Sequence, residues 1–289
     1  MNKCLGFLLL VMMSVFLNCG GDEQNPVFTV AGIPDQNSSD LARRYKIFTN
    51  YLSQTLQQEV KYVPTVNYSA TVTGFRQGEI HMAWFGGLTG VMARMHVPNA
   101  LAIAQRPADE KFHSIFIVNR NVSIGKGGLS KLNGLTFTFG DELSTSGHLM
   151  PRYFLLEAGL NPDEDFGSQP SYSGSHDKTW KLVESGAFDA GVLNENVWRS
   201  AVRLGKVNLS KVEVFSKTPP YHDYNWTIRG DLDEKFGLGF TQTLKDALFN
   251  LGDNNAEILH MFSTDSFIET RNTNYDVIED IAISVGIIE

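Results

Sequence analysis

Cysteine is almost absent: the chain has two in 289 residues, Cys4 and Cys19, both within the first twenty positions. A folded body after that point has no thiol for a disulfide or a cysteine metal site. Excess basic charge is also missing. The net charge is −8 with 19% charged residues, so the composition shows no basic face and argues against nucleic acid as a partner. The seven histidines (81, 96, 113, 148, 176, 222 and 260) show no paired metal-ligand spacing. No G-x-x-x-x-G-K-[ST] loop offers a nucleotide cradle, and no G-x-S-x-G elbow surrounds a serine. Ser146, His176 and the adjacent Asp177 therefore do not read as a catalytic triad, and neither an enzymatic centre nor a cofactor is expected.

A long hydrophobic run is missing too, because the apolar stretch 5–17 is too short to cross a bilayer comfortably. With Lys3 before it, this stretch reads as an export signal over 1–18. Phe16-Leu17-Asn18-Cys19 resembles a bacterial lipoprotein signal, in which the cysteine is lipidated and becomes the new N-terminus; Asn18 departs from the usual small residue. That resemblance implies a lipid anchor at Cys19, a polar tether over 19–26 and a body on the periplasmic side of a bacterial membrane. Seven residues from Gly20 to Pro26 reach at most about 25 Å.

From residue 27 onward the hydrophobic pattern alternates between short runs and helical periods. Strands are expected over 27–32, 82–85, 101–105, 112–118, 135–139, 190–193 and 212–215. Leu41, Tyr45, Phe48, Leu52 and Leu56 fall on one helical stripe behind the capping run Asn37-Ser38-Ser39-Asp40. Further helices are expected over 69–77, 88–95, 148–158, 177–185 and 195–204, and the C-terminal third reads as mostly helical. Such alternation implies α/β lobes built on mainly parallel sheets, whose polar loops gather beyond the strand ends.

One of those loops, Ser144-Thr145-Ser146-Gly147, follows a strand and opens a helix, with Pro151 in its first turn. A helix start presents unpaired N–H groups and the positive end of a dipole, and three hydroxyls add donors. A small multiply charged oxyanion suits that arrangement. A plain N-cap is the alternative reading of the same residues.

Five motifs, in order along the chain, widen the picture: Ile33-Pro34-Asp35-Gln36-Asn37, Ala83-Trp84-Phe85-Gly86, the Ser144 loop, Gly174-Ser175-His176-Asp177-Lys178 and Asp223-Tyr224-Asn225-Trp226-Thr227. Together they resemble the phosphonate/phosphite/phosphate-binding periplasmic proteins of ABC importers. The resemblance implies a two-lobed periplasmic-binding fold of the second type. Its expected lobes are 27–116 with 218–289, and 117–217, crossed near 117–119 and 217–221. It further implies a monomer that traps its ligand by hinge closure and works with permease and ATPase subunits. Ser144, Thr145 and Ser146 match the loop that grips the oxyanion, His176 a histidine contacting it, and Tyr68 a pocket tyrosine. Phe85 stands where aminoalkylphosphonate binders carry a tyrosine, Asn196 where they carry a glutamate, and Asp223 keeps a second acidic position. An ammonium group in the cleft would lose half its countercharge, so a smaller phosphorus oxyanion is expected. The run Trp84 to Gly90 also resembles a branch proposed to carry selenate, and a sensor of the same fold is a further alternative.

Overall fold

The computed structural model describes residues 26–125 and 127–289. The expected signal peptide, the lipidation site Cys19 and all of the tether but Pro26 lie outside the described residues. Among the described residues no helix is long and apolar enough to cross a membrane.

Two sheets form the frame. The first contains β1 (Phe28–Gly32), β2 (Val60–Tyr62), β3 (Met82–Phe85) and β4 (Leu101–Gln105), joined late in the chain by β10 (Asn225–Ile228) and β11 (Ile268–Glu269). Its spatial order is β11-β4-β10-β3-β1-β2. The second contains β5 (Ser114–Asn119), β6 (Phe137–Phe139), β7 (Ser171–Tyr172), β8 (Ala190–Asn194) and β9 (Val212–Lys217), in the order β7-β6-β8-β5-β9. The helices α1 (Ser38–Leu56), α2 (Tyr68–Gln77) and α3 (Gly87–Met95) connect strands of the first sheet; α4 (Met150–Glu157), α5 (His176–Ser185) and α6 (Glu195–Arg203) connect those of the second. Four more, α7 (Leu232–Phe236), α8 (Phe240–Phe249), α9 (Ala256–Met261) and α10 (Asp276–Ser284), follow β10.

The helix starts are set locally, as the sequence implies. Asn37 caps α1 by accepting from the N–H groups of Ser39 and Asp40. Asn67 caps α2, and Gly78 ends it in a left-handed conformation with φ of 81°.

The sheets are mixed, which corrects the expectation of mainly parallel ones. Pairs β1–β2, β1–β3, β6–β7 and β6–β8 are parallel, whereas β10 runs antiparallel to β3 and β4, and β5 antiparallel to β8 and β9. The reason lies in the connections. Helical crossovers return a strand parallel to its neighbour, but β5 and β10 enter their sheets directly from the opposite one. Every residue of β5 from Ser114 to Val118 pairs with β8, so the first connection between sheets is 106–113 rather than the expected 117–119. The second is 218–224, since β9 ends at Lys217 and β10 starts at Asn225.

These two connections pair with each other. Phe112 and Tyr221 exchange backbone hydrogen bonds of 2.8 and 3.0 Å, and the Ser114 hydroxyl meets the Tyr221 hydroxyl at 2.6 Å. Thr218 N–H donates to the Ser114 carbonyl at 3.0 Å.

The larger core fills the first sheet's faces. Trp226 on β10 is fully buried, lies opposite Trp84 of β3 and stacks on Phe48 of α1 at 4.9 Å between ring centroids. Phe262 and Tyr45 close the cluster edge-on. Trp226→Ala should therefore cost about 3–5 kcal/mol, read as a lower urea midpoint; a loss under about 1 kcal/mol would mean that the cluster repacks.

Candidate functional site

The Ser144 loop sits where β6 ends. Ser144 accepts at Oγ from the Gly147 N–H (2.9 Å), and its carbonyl accepts from both His148 and Leu149 (3.0 Å each), giving one wide π-type turn over Thr145–Leu149. The N–H groups of Thr145 and Ser146 open this turn without intrahelical acceptors. Gly147 makes the packing possible: a Cβ there would lie 3.0 Å from the Gly140 Cα and 2.8 Å from the Ser144 hydroxyl. All three hydroxyl residues are buried.

Residues of the first sheet close over the loop. The Leu88 N–H donates to Thr145 Oγ1 and the Gly87 N–H to Asp223 Oδ1, both at 2.9 Å. Gly86 and Gly87 permit this approach, since a Cβ on Gly86 would be 3.0 Å from Thr145 Oγ1 and 3.2 Å from Asp223 Oδ1. Thr145 therefore directs its hydroxyl at the opposite sheet. Ser144 lies beside the Tyr68 hydroxyl, and Ser146 beside that of Tyr221.

His176 is fully buried at the start of α5. Its backbone N–H donates to the Asp35 carbonyl (3.1 Å), and its ring Nδ1 accepts from the Asn194 N–H (3.4 Å). That bond assigns the proton to Nε2, which faces the Tyr224 hydroxyl at 3.4 Å. Tyr224 in turn donates to Asp35 Oδ2 at 2.8 Å and accepts from Asn194 Nδ2 at 3.2 Å. Asp35, Tyr224, His176 and Asn194 thus form one hydrogen-bonded layer shared by both sheets.

Burial governs the charges. It pushes the His176 imidazole down to about 4, so the ring is neutral near pH 7. It pushes the Asp223 carboxyl up to about 7, against the Gly87 N–H that favours the ionised form. Asp223 Oδ2 and the Tyr68 hydroxyl are both buried without a protein partner among the described residues. One acceptor that also titrates and one donor are therefore left without partners beside the Ser144 loop.

The structure brings Ser144, Thr145, Ser146, Tyr68, His176 and Asp223 together. Phe85 is buried at the end of β3 with its ring edge-on to Phe75, an apolar wall without a hydroxyl. Asn196 lies elsewhere, half-buried in an outer cleft of about 580 Å³ that also reaches Asp35, Trp84, Asn194 and Tyr224. Sequence reasoning did not single out Asp35, Asn194, Tyr221 or Tyr224. Asp35 and Tyr224 stand inside quoted motifs, but only the crossing of the two connections shows that they meet.

Residues 30–275 match the profile of the periplasmic substrate-binding proteins of phosphonate ABC transporters. The chain belongs to that family. It is similar, at 46% identity over 265 residues and 89% of each chain, to a probable ABC transporter phosphite binding protein, PhnD1, of Prochlorococcus marinus (strain MIT 9301). The structure of that organism's PhnD1 in complex with methylphosphonate matches at 45% identity, with a TM-score of 0.87, covering 91% of this chain and 99% of that one. The phosphonates-binding periplasmic protein of Escherichia coli (strain K12) is 24% identical over 221 residues, 74% of this chain and 64% of that one. Members of the family are substrate-binding components of importers and not enzymes, and the two sheets are the frames of the two lobes of that fold.

The buried carboxyl makes a stability prediction with a definite sign. Its folded value of about 7 exceeds the ordinary carboxylate value near 4, so the stability it contributes is present below about 4 and is lost as pH rises to about 7. His176 works in the opposite direction, because burial lowers it, and the two partly cancel in the wild type. Asp223→Asn isolates the first. Without ligand, the stability of the wild type relative to this variant should fall between pH 5 and pH 8 in urea titrations; an unchanged difference would mean that Asp223 is not buried as an acid.

Proposed function

We propose that this chain captures a small phosphorus oxyanion of the phosphite or methylphosphonate class at the Ser144 loop, closes its two lobes on it and hands it to a membrane permease with its ATPase. The observation that carries this reading is the unpartnered, buried Asp223 Oδ2 with its carboxyl near 7. A phosphorus oxyanion that keeps one proton can donate it to the ionised carboxylate, while its other oxygens accept from the Ser144 and Ser146 hydroxyls, Tyr68 and the opening N–H groups. His176 Nε2–H stands near the same loop, since a Cβ on Gly147 would lie 3.2 Å from its Cε1.

Selenate, the alternative, has no proton to give. It would be held only while Asp223 itself stays protonated, so its affinity should fall about tenfold per pH unit above 7. Aminoalkylphosphonates are disfavoured for a different reason. Phe85 carries no polar handle, and Asn196, which lies in the outer cleft, brings no carboxylate to the Ser144 loop, so an ammonium group would be buried without its usual partner. The relatives support the same class, one being called a phosphite binding protein and its structure holding methylphosphonate.

The connections 106–113 and 218–224 serve as the hinge in this reading, and Cys19 serves as the lipid anchor that keeps a monomeric body near its permease. A sensor would share the closed site but not the permease partners.

Calorimetry with phosphite, methylphosphonate, phosphate, aminoethylphosphonate, selenate and sulfate tests the ligand class. Phosphite or methylphosphonate should bind most tightly, and a preference for selenate at pH 8.5 would overturn the reading. Ser144→Ala combined with Ser146→Ala should weaken binding by at least about 2 kcal/mol, because two hydrogen bonds to a charged group are lost. Asp223→Asn should weaken phosphite by about 2 kcal/mol and strengthen selenate at pH 8.5; parallel changes for both anions would remove Asp223 from the discrimination.

A further inference from the structure

The outer cleft lies one residue layer away from the Ser144 loop, because Asp35, Asn194 and Tyr224 contribute both to its floor and to the layer that holds His176. Six cationic side chains line it against three carboxylates, in a chain whose net charge is −8. Three of the six are paired: Arg106 with Asp109 at 2.6 Å, Lys181 with Asp177 at 3.0 Å and Arg43 with Asp40 at 3.5 Å. Among the described residues, Arg44, Arg203 and Lys206 have no carboxylate within ion-pair distance. Arg44 belongs to α1, beside the first sheet; Arg203 ends α6 and Lys206 follows it, beside the second. Uncompensated positive charge thus faces the cleft from both sides of its mouth. The capped N-termini of α1 and α6 open on the same space through Asn37 and Asn194.

We propose that this cleft is an electrostatic capture site, in which Arg44, Arg203 and Lys206 concentrate the phosphorus oxyanion at the mouth before it passes the Asp35–Tyr224–His176 layer. The inference rests on the ligand class proposed above. Like charges held apart in the open form draw an anion between them, and low-dielectric walls strengthen that attraction relative to open water. The layer itself must part for entry, since its bonds join the two sheets. The cleft that reaches its outer side is therefore the approach.

Overall charge and local charge predict opposite signs for the salt effect. A uniformly negative protein would repel an anion, and its association rate would rise with ionic strength; a basic mouth makes the rate fall. The test is stopped-flow tryptophan fluorescence with phosphite, from about 10 to 500 mM salt, because Trp84 and Trp180 line the cleft. The wild-type rate should decrease with salt. Arg44→Glu, Arg203→Glu and Lys206→Glu should each slow association at low salt by at least about threefold, with dissociation unchanged. The difference should vanish at high salt, and the three glutamine variants should give smaller losses. A rate that rises with salt, or variants that change only dissociation, would overturn the proposal. So would unchanged association with a loss of permease-stimulated ATP hydrolysis, which would make the patch a docking surface. Wild-type calorimetry separates the two readings: no heat with any of the oxyanions defeats the inner site and its approach together, whereas tight binding with salt-insensitive association defeats the capture site alone.

Discussion

Two backbone hydrogen bonds between Phe112 and Tyr221 bind the connections 106–113 and 218–224 into one ribbon, and the rest of the molecule is arranged around it. The ribbon sets where the sheets stand, and it carries chemistry as well. Arg106 and Asp109, at the start of the first connection, form a buried bidentate pair, and the Asp109 carbonyl accepts from the Asp223 N–H at 3.1 Å. Arg106 also lies over the rings of Trp84 and Tyr224, 5.2 and 5.0 Å from their centroids. Asp223 and Tyr224 are thus fixed by the same segment that would bend if the lobes move as proposed. In that reading the hinge and the candidate site are mechanically linked.

The electrostatic design relies on dryness more than on countercharge. The Asp223 carboxyl rises because burial, with the neighbouring Asp109 carboxylate, outweighs the Gly87 N–H, the Thr145 hydroxyl and the more distant Arg106. His176 is kept neutral by the same burial, so it contributes a directed N–H instead of a full positive charge. An anion bound as proposed would be recognised by where its proton and lone pairs point. A guanidinium or ammonium pair would grip any dianion with less regard to protonation. In the proposed reading, that distinction would separate singly protonated phosphorus oxyanions from fully deprotonated ones of similar size.

Much of this was legible in the sequence, for reasons tied to local physics. α1 was marked by its Leu41–Tyr45–Phe48–Leu52 stripe and by the capping run Asn37-Ser38-Ser39-Asp40, and the structure assigns the cap to Asn37 within that run. The Ser144 loop was marked by hydroxyls between a strand and a proline-bearing helix start, although its wide turn was not foreseen. β10 escaped notice because Asn225-Trp226-Thr227-Ile228 is buried on both faces and shows no alternation, so period reasoning finds nothing there. Its reversed direction, and with it the mixed sheets, follows from where the chain comes from and not from its own residues. Asn196 was matched to a ligand position by its place in sequence, yet its backbone N–H is taken by the Asn194 cap and the residue lines the outer cleft. Asp35 and Tyr224, 189 residues apart, acquire their role only through tertiary contact.

Closure can be weighed from the bonds that cross between the sheets. Leu88 to Thr145, His176 to Asp35 and Asn194 to Tyr224 are satisfied within the protein and favour the closed form by themselves. Against them stand the Tyr68 hydroxyl and Asp223 Oδ2, each buried without a protein partner at a cost of about 1–3 kcal/mol. In the proposed reading, a singly protonated oxyanion would remove both costs by accepting from Tyr68 and donating to Asp223. A ligand that satisfies one atom and not the other leaves part of the penalty in place. The lobes would then favour closure less strongly, and a permease that reads the closed form would be offered less of it. Selectivity in such a protein lies in the closing equilibrium as much as in the grip of the Ser144 loop.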